Sequence, residues 1–254
     1  MSNSKSILFI TQNDPFYIIE FFKEFLKNYK KKERILEVVI CPTMGKKSLL
    51  KTAKQMLDFY GFFDFCRMVF RYFFIIVTHN TLESLLKKEK IKTHKESDIN
   101  SLNFVAYCET RKPDVIISVA APVKFKKVLL QVPTWGCLNV HHAILPFYKG
   151  MMPNFWQMYH SEEKVGITVH KMNAAIDEGD IVFQKEVPLI DCESLNHLIR
   201  RTKKLAANCI IQVLKEIEND SVVFITKPKD KGTYFSFPNR NDVLEFKRRG
   251  YKLL

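Results

Sequence analysis

Short apolar runs that alternate with helical stretches constrain the fold more than any other feature. Ser6 to Thr11 (SILFIT), Ile35 to Cys41 (ILEVVIC), Asp114 to Ala120 (DVIISVA) and Gly136 to His141 (GCLNVH) read as strands, and Ile91 to His94 as a shorter one. The β-branched run DVIISVA is the best candidate for a central strand. Between the runs lie helical patterns. Asp14-Pro15 opens one to about Tyr29, with Asp as cap and Pro in the first turn. Lys46 to Tyr60 and Asp98 to Arg111 read as helices too, the latter stopped before Pro113. Strand alternating with helix implies a parallel sheet with helices on its faces. After Ser161 the pattern changes. Val165 to Met172 and Asp180 to Val187 look like two strands joined by a tight acidic loop, and Ser194 to Ile217 is one long helix. Val222 to Thr226 is a last strand candidate, followed by a basic tail containing GTYFSFPNRNDVLEF.

The 254 residues suit one α/β domain with a short extension, or one domain and a small second one. Lys plus Arg total 40 against 27 Asp plus Glu, a net charge of +13. Such a surplus favours anionic partners, and a solvated Lys-rich surface is an equal reading, because the charges are spread along the chain. The six cysteines form no CxxC pair, which argues against a zinc site or a disulfide framework, and no metal is expected. The first apolar run is too short for a signal peptide, so the chain is read as cytoplasmic. Phe62 to Val77 (FFDFCRMVFRYFFIIV) spans 16 residues, short of the roughly 20 needed to cross a bilayer. Asp64, Arg67 and Arg71 line one helical face there, so an amphipathic helix packed on the core is expected; a dimer interface or a membrane-surface contact is the lesser reading.

No GxGxxG follows the first strand and no GxxxxGK[ST] occurs, so neither a dinucleotide nor a P-loop site has support. A Rossmann-like sheet without that fingerprint must bind something else at its strand ends. Two clusters stand out, Gly136 to Trp156 (GCLNVHHAILPFYKGMMPNFW) and Asn173 to Ile181 (NAAIDEGDI). Asn139 and His141, two apart at the end of a strand, share a face. An amide donor beside an imidazole suits acyl transfer, the one holding a developing oxyanion and the other moving a proton. The acidic loop offers Asp177, Glu178 and Asp180 around Gly179, and a carboxylate there would orient and tune the histidine. Taken singly, an NxH pair and an acidic glycine loop are also ordinary structural features.

In order, these residues resemble the folate-dependent formyltransferase family. Asn139 and His141, then Leu145-Pro146, Gly150, Pro153, Trp156, Asp177, Gly179 and Asp180 follow that family's NxH, LP, G-x-x-P-x-x-W and D-x-G-D pattern. The resemblance covers about Asp114 to Val187. It implies a Rossmann-like formyltransferase sheet with helices on both faces, residues 1–190 as catalytic domain, and 191–254 as a C-terminal helix and short extension. It implies 10-formyltetrahydrofolate as formyl donor. Asn139 would bind the formyl oxygen, His141 would assist proton transfer, and Asp177 would hold the histidine and a water. The folate ring would lie against Val123 and Phe125 and against Asn173, Ala174 and Ile176. The run Ala121 to Phe125 departs from the family's Gly-x-Ile-Leu. His142 points to the other face and is read as structural or solvent-facing. His160 and His170 are assigned surface or core roles, Cys137 and Trp156 packing roles, and Asp180 a loop-stabilising one.

The acceptor is left to what surrounds that block. About 67 residues follow Val187, which leaves no room for the OB-like domain of methionyl-tRNA formyltransferases. Glycinamide ribonucleotide formyltransferases lack the Lys46 to Asn80 insertion and the GTYFSFP tail. The expected acceptor is therefore a nucleotide diphosphate amino sugar, held by Lys and Arg, with Tyr234, Phe235 or Phe237 stacking on the base. Methionyl-tRNA, glycinamide ribonucleotide, a non-catalytic folate-binding role and formyl folate hydrolysis are the alternatives. No stable nucleic acid partner and no membrane span are expected, and a homodimer is possible.

Overall fold

The computed structural model describes residues 5–43, 49–190, 194–226 and 232–254. A seven-stranded sheet organises them, in the order β3 (Thr93–Lys95), β2 (Ile35–Cys41), β1 (Ile7–Gln12), β4 (Val115–Val119), β5 (Gly136–His141), β7 (Lys164–Lys171), β8 (Ile181–Pro188). Strands β3 to β5 run parallel, and β7 and β8 continue the sheet antiparallel. This is the α/β, Rossmann-like sheet expected from the apolar runs, with helices on both faces.

Alternation along the central strands splits their side chains between two layers. Ile7, Phe9, Val38, Ile40, Val115 and Ile117 join a core with α1 (Ile18–Asn28), α4 (Leu82–Lys88) and α8 (Leu195–Glu218). Leu8, Ile10, Val39 and Ile116 point the other way, onto α5 (Leu102–Arg111) and α6 (Lys127–Leu130). Phe9 anchors the first layer, meeting Phe21, Phe22 and Phe25 edge-on at 5.1–6.3 Å between centroids. Each such pair adds about 0.5–1.5 kcal/mol beyond the area it buries. The α8 helix, which the sequence reading places beyond residue 190, packs on α1 and supplies Ala206, Ile210, Val213 and Ile217 to this same core.

Several boundaries differ from expectation, for local reasons. The first helix opens at Ile18, not Asp14, because Asp14 Oδ1 takes the amides of Phe16 (2.8 Å) and Tyr17 (3.3 Å) and forms a turn ahead of it. Helix α5 begins at Leu102 for a similar reason: Asp98 turns back on Asn100, and Ser101 caps the helix at Phe104. Of the helix expected from Lys46, α2 (Leu49–Tyr60) is seen, and residues 46–48 lie outside the described residues. Val222 to Thr226 makes a single bridge, Ile225 to Ile181, in place of a strand. Two very short strands, β6 (Lys149–Gly150) and β9 (Tyr234–Phe235), pair in parallel and bring the tail against the loop after β5.

The largest departure concerns α3 (Phe62–Val77). Its bounds match the expected helix, but it is not an amphipathic helix packed apolar side down. Only Met68 and Ile75 are buried, and five phenylalanines face solvent. Among the described residues no helix is long and apolar enough to cross a membrane.

Candidate active site

In this sheet β1 leads outward to β2 and β3, while β4 leads the other way to β5. The strand order reverses between β1 and β4, and ligands of open α/β sheets bind beyond the carboxyl ends at such a point. Asn139 and His141 stand at the end of β5, where the expected site lies.

The structure brings Asn139, His141 and Asp177 together. His141 is buried, and its Nε2–H donates to the Tyr148 carbonyl at 2.7 Å. Its Nδ1 faces Asp177 Oδ2 at 3.6 Å. Asn139 Nδ2 lies 3.5 Å from Asp177 Oδ1. The carboxylate is itself anchored, since the Gly150 amide donates to Oδ2 at 3.0 Å. Asp177 sits in the left-handed region at φ 54°, which turns its side chain back over the sheet from the β7–β8 loop.

His170 is a fourth member that sequence reasoning assigned to a core or surface role. The antiparallel register of β5 and β7 places it directly opposite Asn139, and cross-strand partners share a face. His170 Nε2 is 3.2 Å from Asn139 Nδ2 and 3.5 Å from Asp177 Oδ1, and its Nδ1–H donates to the Lys171 carbonyl at 3.0 Å. With Nδ1 committed there, Nε2 is aimed into the site, between the Asn139 amide and the Asp177 carboxylate, and holds both side chains in place. The signal was in the sequence only as a register, which no local pattern prints.

Electrostatics follow from this enclosure. Burial pushes the His141 imidazole below its ordinary value, and the Asp177 charge and the Tyr148 carbonyl recover only part of that. Burial also pushes the Asp177 carboxyl up, but His170, His141 and the Gly150 amide together hold it down, at about 2. At neutral pH the pair is therefore a carboxylate beside a neutral imidazole. Since Nε2–H is spent on Tyr148, the free lone pair is on Nδ1.

Two glycines make the constellation possible. Gly150 has φ +94°, and a Cβ there would meet the Phe235 carbonyl oxygen at 2.2 Å. Gly179 passes so close to β7 that a Cβ would fall 1.4 Å from the Lys171 carbonyl oxygen, the acceptor of His170. Gly179→Ala is thus expected to cost about 3 kcal/mol or more of folding stability, by forcing the acidic loop off β7. Denaturant unfolding measures this, and an unchanged midpoint would contradict the packing described.

Other expected residues fall as follows. His142 leaves the other face of the strand and is buried, accepting from Lys203 Nζ at 2.9 Å; it is structural and not solvent-facing. Burial, with Lys203 adding to it, drives the His142 imidazole well below its usual value, and burial lowers Lys203 to about 8. Trp156, on α7 (Pro153–Tyr159), is a packing residue, stacked on Phe235 at 4.8 Å, with its indole N–H on the Ser236 carbonyl. Phe235 lies between Trp156 and Tyr148 and is not open to stack on a base; Phe237 packs one side on Phe59 and is half-buried, and Tyr234 remains exposed. Of the five residues expected near a folate ring, Val123 and Ile176 expose apolar side chains, and Asn173 and Ala174 are exposed on their loop. Phe125 is buried in the core with Phe104, Leu129 and Cys137, so its side chain is not exposed.

Comparison with known proteins gives a consistent picture. The family model described as formyl transferase matches residues 78–214. Methionyl-tRNA formyltransferase of Ehrlichia canis is 31% identical over 160 residues, covering 63% of this chain and 49% of the relative. The chain thus spans about half the length of that curated relative. A sugar N-formyltransferase from a Shewanella species superimposes with TM-score 0.61 at 16% identity, over 95% of this chain and 87% of its own. An N-formyltransferase from Helicobacter canadensis, solved with folinic acid and dTDP-3-aminofucose, gives 0.56 at 18%, over 91% and 71%. At these identities the two structures establish a shared fold.

Proposed function

This chain belongs to the formyl transferase family, and from that premise we propose that it moves a formyl group from 10-formyltetrahydrofolate to the amino group of a nucleotide-linked amino sugar. The observation that carries the chemistry is the convergence of Asn139, His141 and Asp177 at the carboxyl end of β5, inside the segment the family model matches. The catalytic unit is assigned to residues 1–190, with 191–254 closing the core and bracing the site loop.

The exposed surfaces suit a folate donor. Val123 and Ile176 leave apolar side chains exposed, and Asn173 and Ala174 leave their loop accessible, features that fit a flat heterocycle read by main-chain groups. When bound, the donor supplies a formyl carbon already activated for transfer. As the acceptor nitrogen bonds to that carbon, negative charge develops on the formyl oxygen, and the Asn139 amide turns a hydrogen towards it from His170 or Asp177. His141 Nδ1 takes the proton the nitrogen must lose. The resulting imidazolium is held between the Tyr148 carbonyl and the Asp177 carboxylate. The same proton then goes to the folate nitrogen as its bond to the formyl carbon breaks, so His141 ends as it began.

Support for the acceptor comes from three sources. The Helicobacter canadensis relative was solved with a nucleotide-linked amino sugar. The chain carries a net charge of +13, suited to a diphosphate. Lys51 and Lys54 of α2 line one groove with Asp58 of the same helix and with Phe237 and Arg240 of the tail that pairs with the site loop. Methionyl-tRNA is the second reading, favoured by the 31% identity to the Ehrlichia canis enzyme. A panel of aminosugar nucleotides, charged initiator tRNA and glycinamide ribonucleotide, each offered with the same donor, separates them. The sugar nucleotide is expected to win by tenfold or more in kcat/KM, about 1.4 kcal/mol in the transition state. An equal margin for the tRNA would replace the acceptor and leave the catalytic residues in place.

A further inference from the structure

Helix α3 is built inside out. Asp64 and Arg71 point into the protein, where each finds a partner. Arg71 donates to Asn196 Oδ1 at 2.8 Å and lies over the rings of Phe16 and Tyr17, at 5.4 and 5.8 Å. Asp64 faces Lys247 at 3.5 Å. Its outer half presents Phe62, Phe63, Phe70, Phe73 and Phe74, each between 61% and 82% exposed, together with Val69, Ile76 and Val77. At 100° per residue these occupy one continuous half of the helix surface. The one charge of α3 itself at its border, Arg67, is turned to Asp64 at 3.3 Å.

A fully open aromatic side chain presents roughly 150–250 Å², so the five phenylalanines alone offer about 500–900 Å². The largest apolar patch on an ordinary monomer is about 300–600 Å². A standard protein–protein interface takes about 800 Å² from each partner. The α3 face lies at or above the upper end of what one copy normally leaves open, and spans what one copy contributes to a dimer.

We propose that this face is a contact between two copies of the chain, joined by a twofold axis that packs α3 against α3. A second copy fits better than the alternatives on charge. Each copy carries +13, and two such molecules meet with least repulsion through an apolar patch in which the helix's own border cation is already paired. A helix that binds a membrane surface keeps cations along its polar flank for the headgroups, whereas here that flank is turned inward and bonded. Twofold pairing also asks only that the face complement itself, which a surface of phenylalanine and valine does. Helix α3 precedes residues 78–214 and contributes no residue to the catalytic constellation.

Sedimentation velocity on the full chain, in a dilution series up to about 100 µM, reads this without reference to activity. The expected result is a dimer with Kd of about 1 µM or tighter. The double substitution F70E/F73E is expected to raise that constant by about a hundredfold or more, since it buries charge at the centre of the contact. If that protein does not give the wild-type circular dichroism spectrum, F63Q/F74Q serves, with an expected rise of about tenfold. A wild-type chain still monomeric at the top of the series overturns the proposal. So does a dimer that both folded variants leave unchanged. A monomer that sediments with vesicles of phosphatidylglycerol and phosphatidylethanolamine overturns it as well, and assigns the face to a membrane surface.

Discussion

Replacing His141 with alanine is expected to lower kcat for formyl transfer by about a hundredfold or more, with the chain still folded. The expectation rests on where the ring's two nitrogens point. Nε2–H is held by the Tyr148 carbonyl at 2.7 Å, so the basic lone pair is fixed on Nδ1, towards Asp177. No other group at the end of β5 combines a free lone pair with a carboxylate placed to receive the positive charge. His170 is the nearest candidate, but its Nδ1–H is spent on Lys171 and its Nε2 is already engaged between Asn139 and Asp177. His170→Ala should therefore cost less than His141→Ala, acting through the orientation of Asn139. The Tyr148 carbonyl loses its donor in His141→Ala, which takes about 1–3 kcal/mol from stability. Single-turnover rates measured well below the melting temperature separate the chemical loss from the structural one. A wild-type rate in His141→Ala would sink the assignment.

What could be read from residues alone divides by the range of the interaction. β2, β5 and the bounds of α3 follow directly from the composition of their own runs. Asn139 and His141 were legible because two residues on one strand share a face whatever the strand pairs with. The partners of α3 were not. Its charge spacing shows a one-sided helix, but Asp64 and Arg71 are satisfied by Lys247 and Asn196, far away in sequence, and nothing local tells which side meets the protein. His170 was missed for a related reason: it enters the site through the pairing of β5 with β7, and a shift of one residue would have turned it away. The short β6–β9 pair carries too few residues to leave a pattern. Yet it sets the site loop, with Thr233 receiving the Lys149 amide at its carbonyl and the Tyr148 amide at its hydroxyl.

Asp177→Asn is expected to lower kcat by about a hundredfold or more and to shift its dependence on pH. The amide keeps an acceptor for the Gly150 N–H, so the loop can hold its course while the charge is lost. That charge raises the pKa of His141 against burial. Without it the imidazolium loses the group that stabilises it, which slows proton removal from the acceptor. In wild type, kcat at saturating acceptor should fall with acidification through a pKa below the ordinary histidine value of 6.5, as the base becomes protonated. In Asp177→Asn that acid limb should move lower still. Stability should change in a linked way. A carboxyl at about 2 when folded and 3.8 otherwise contributes stability that is present above about pH 4, and lost as pH falls through 2. The contribution is about 2–3 kcal/mol at neutral pH, by the usual 1.4 kcal/mol per unit. The variant should therefore unfold more easily than wild type at pH 7, and the gap should narrow by pH 3. An unchanged rate, or an acid limb that stays where wild type has it, would mean that Asp177 does not act on His141.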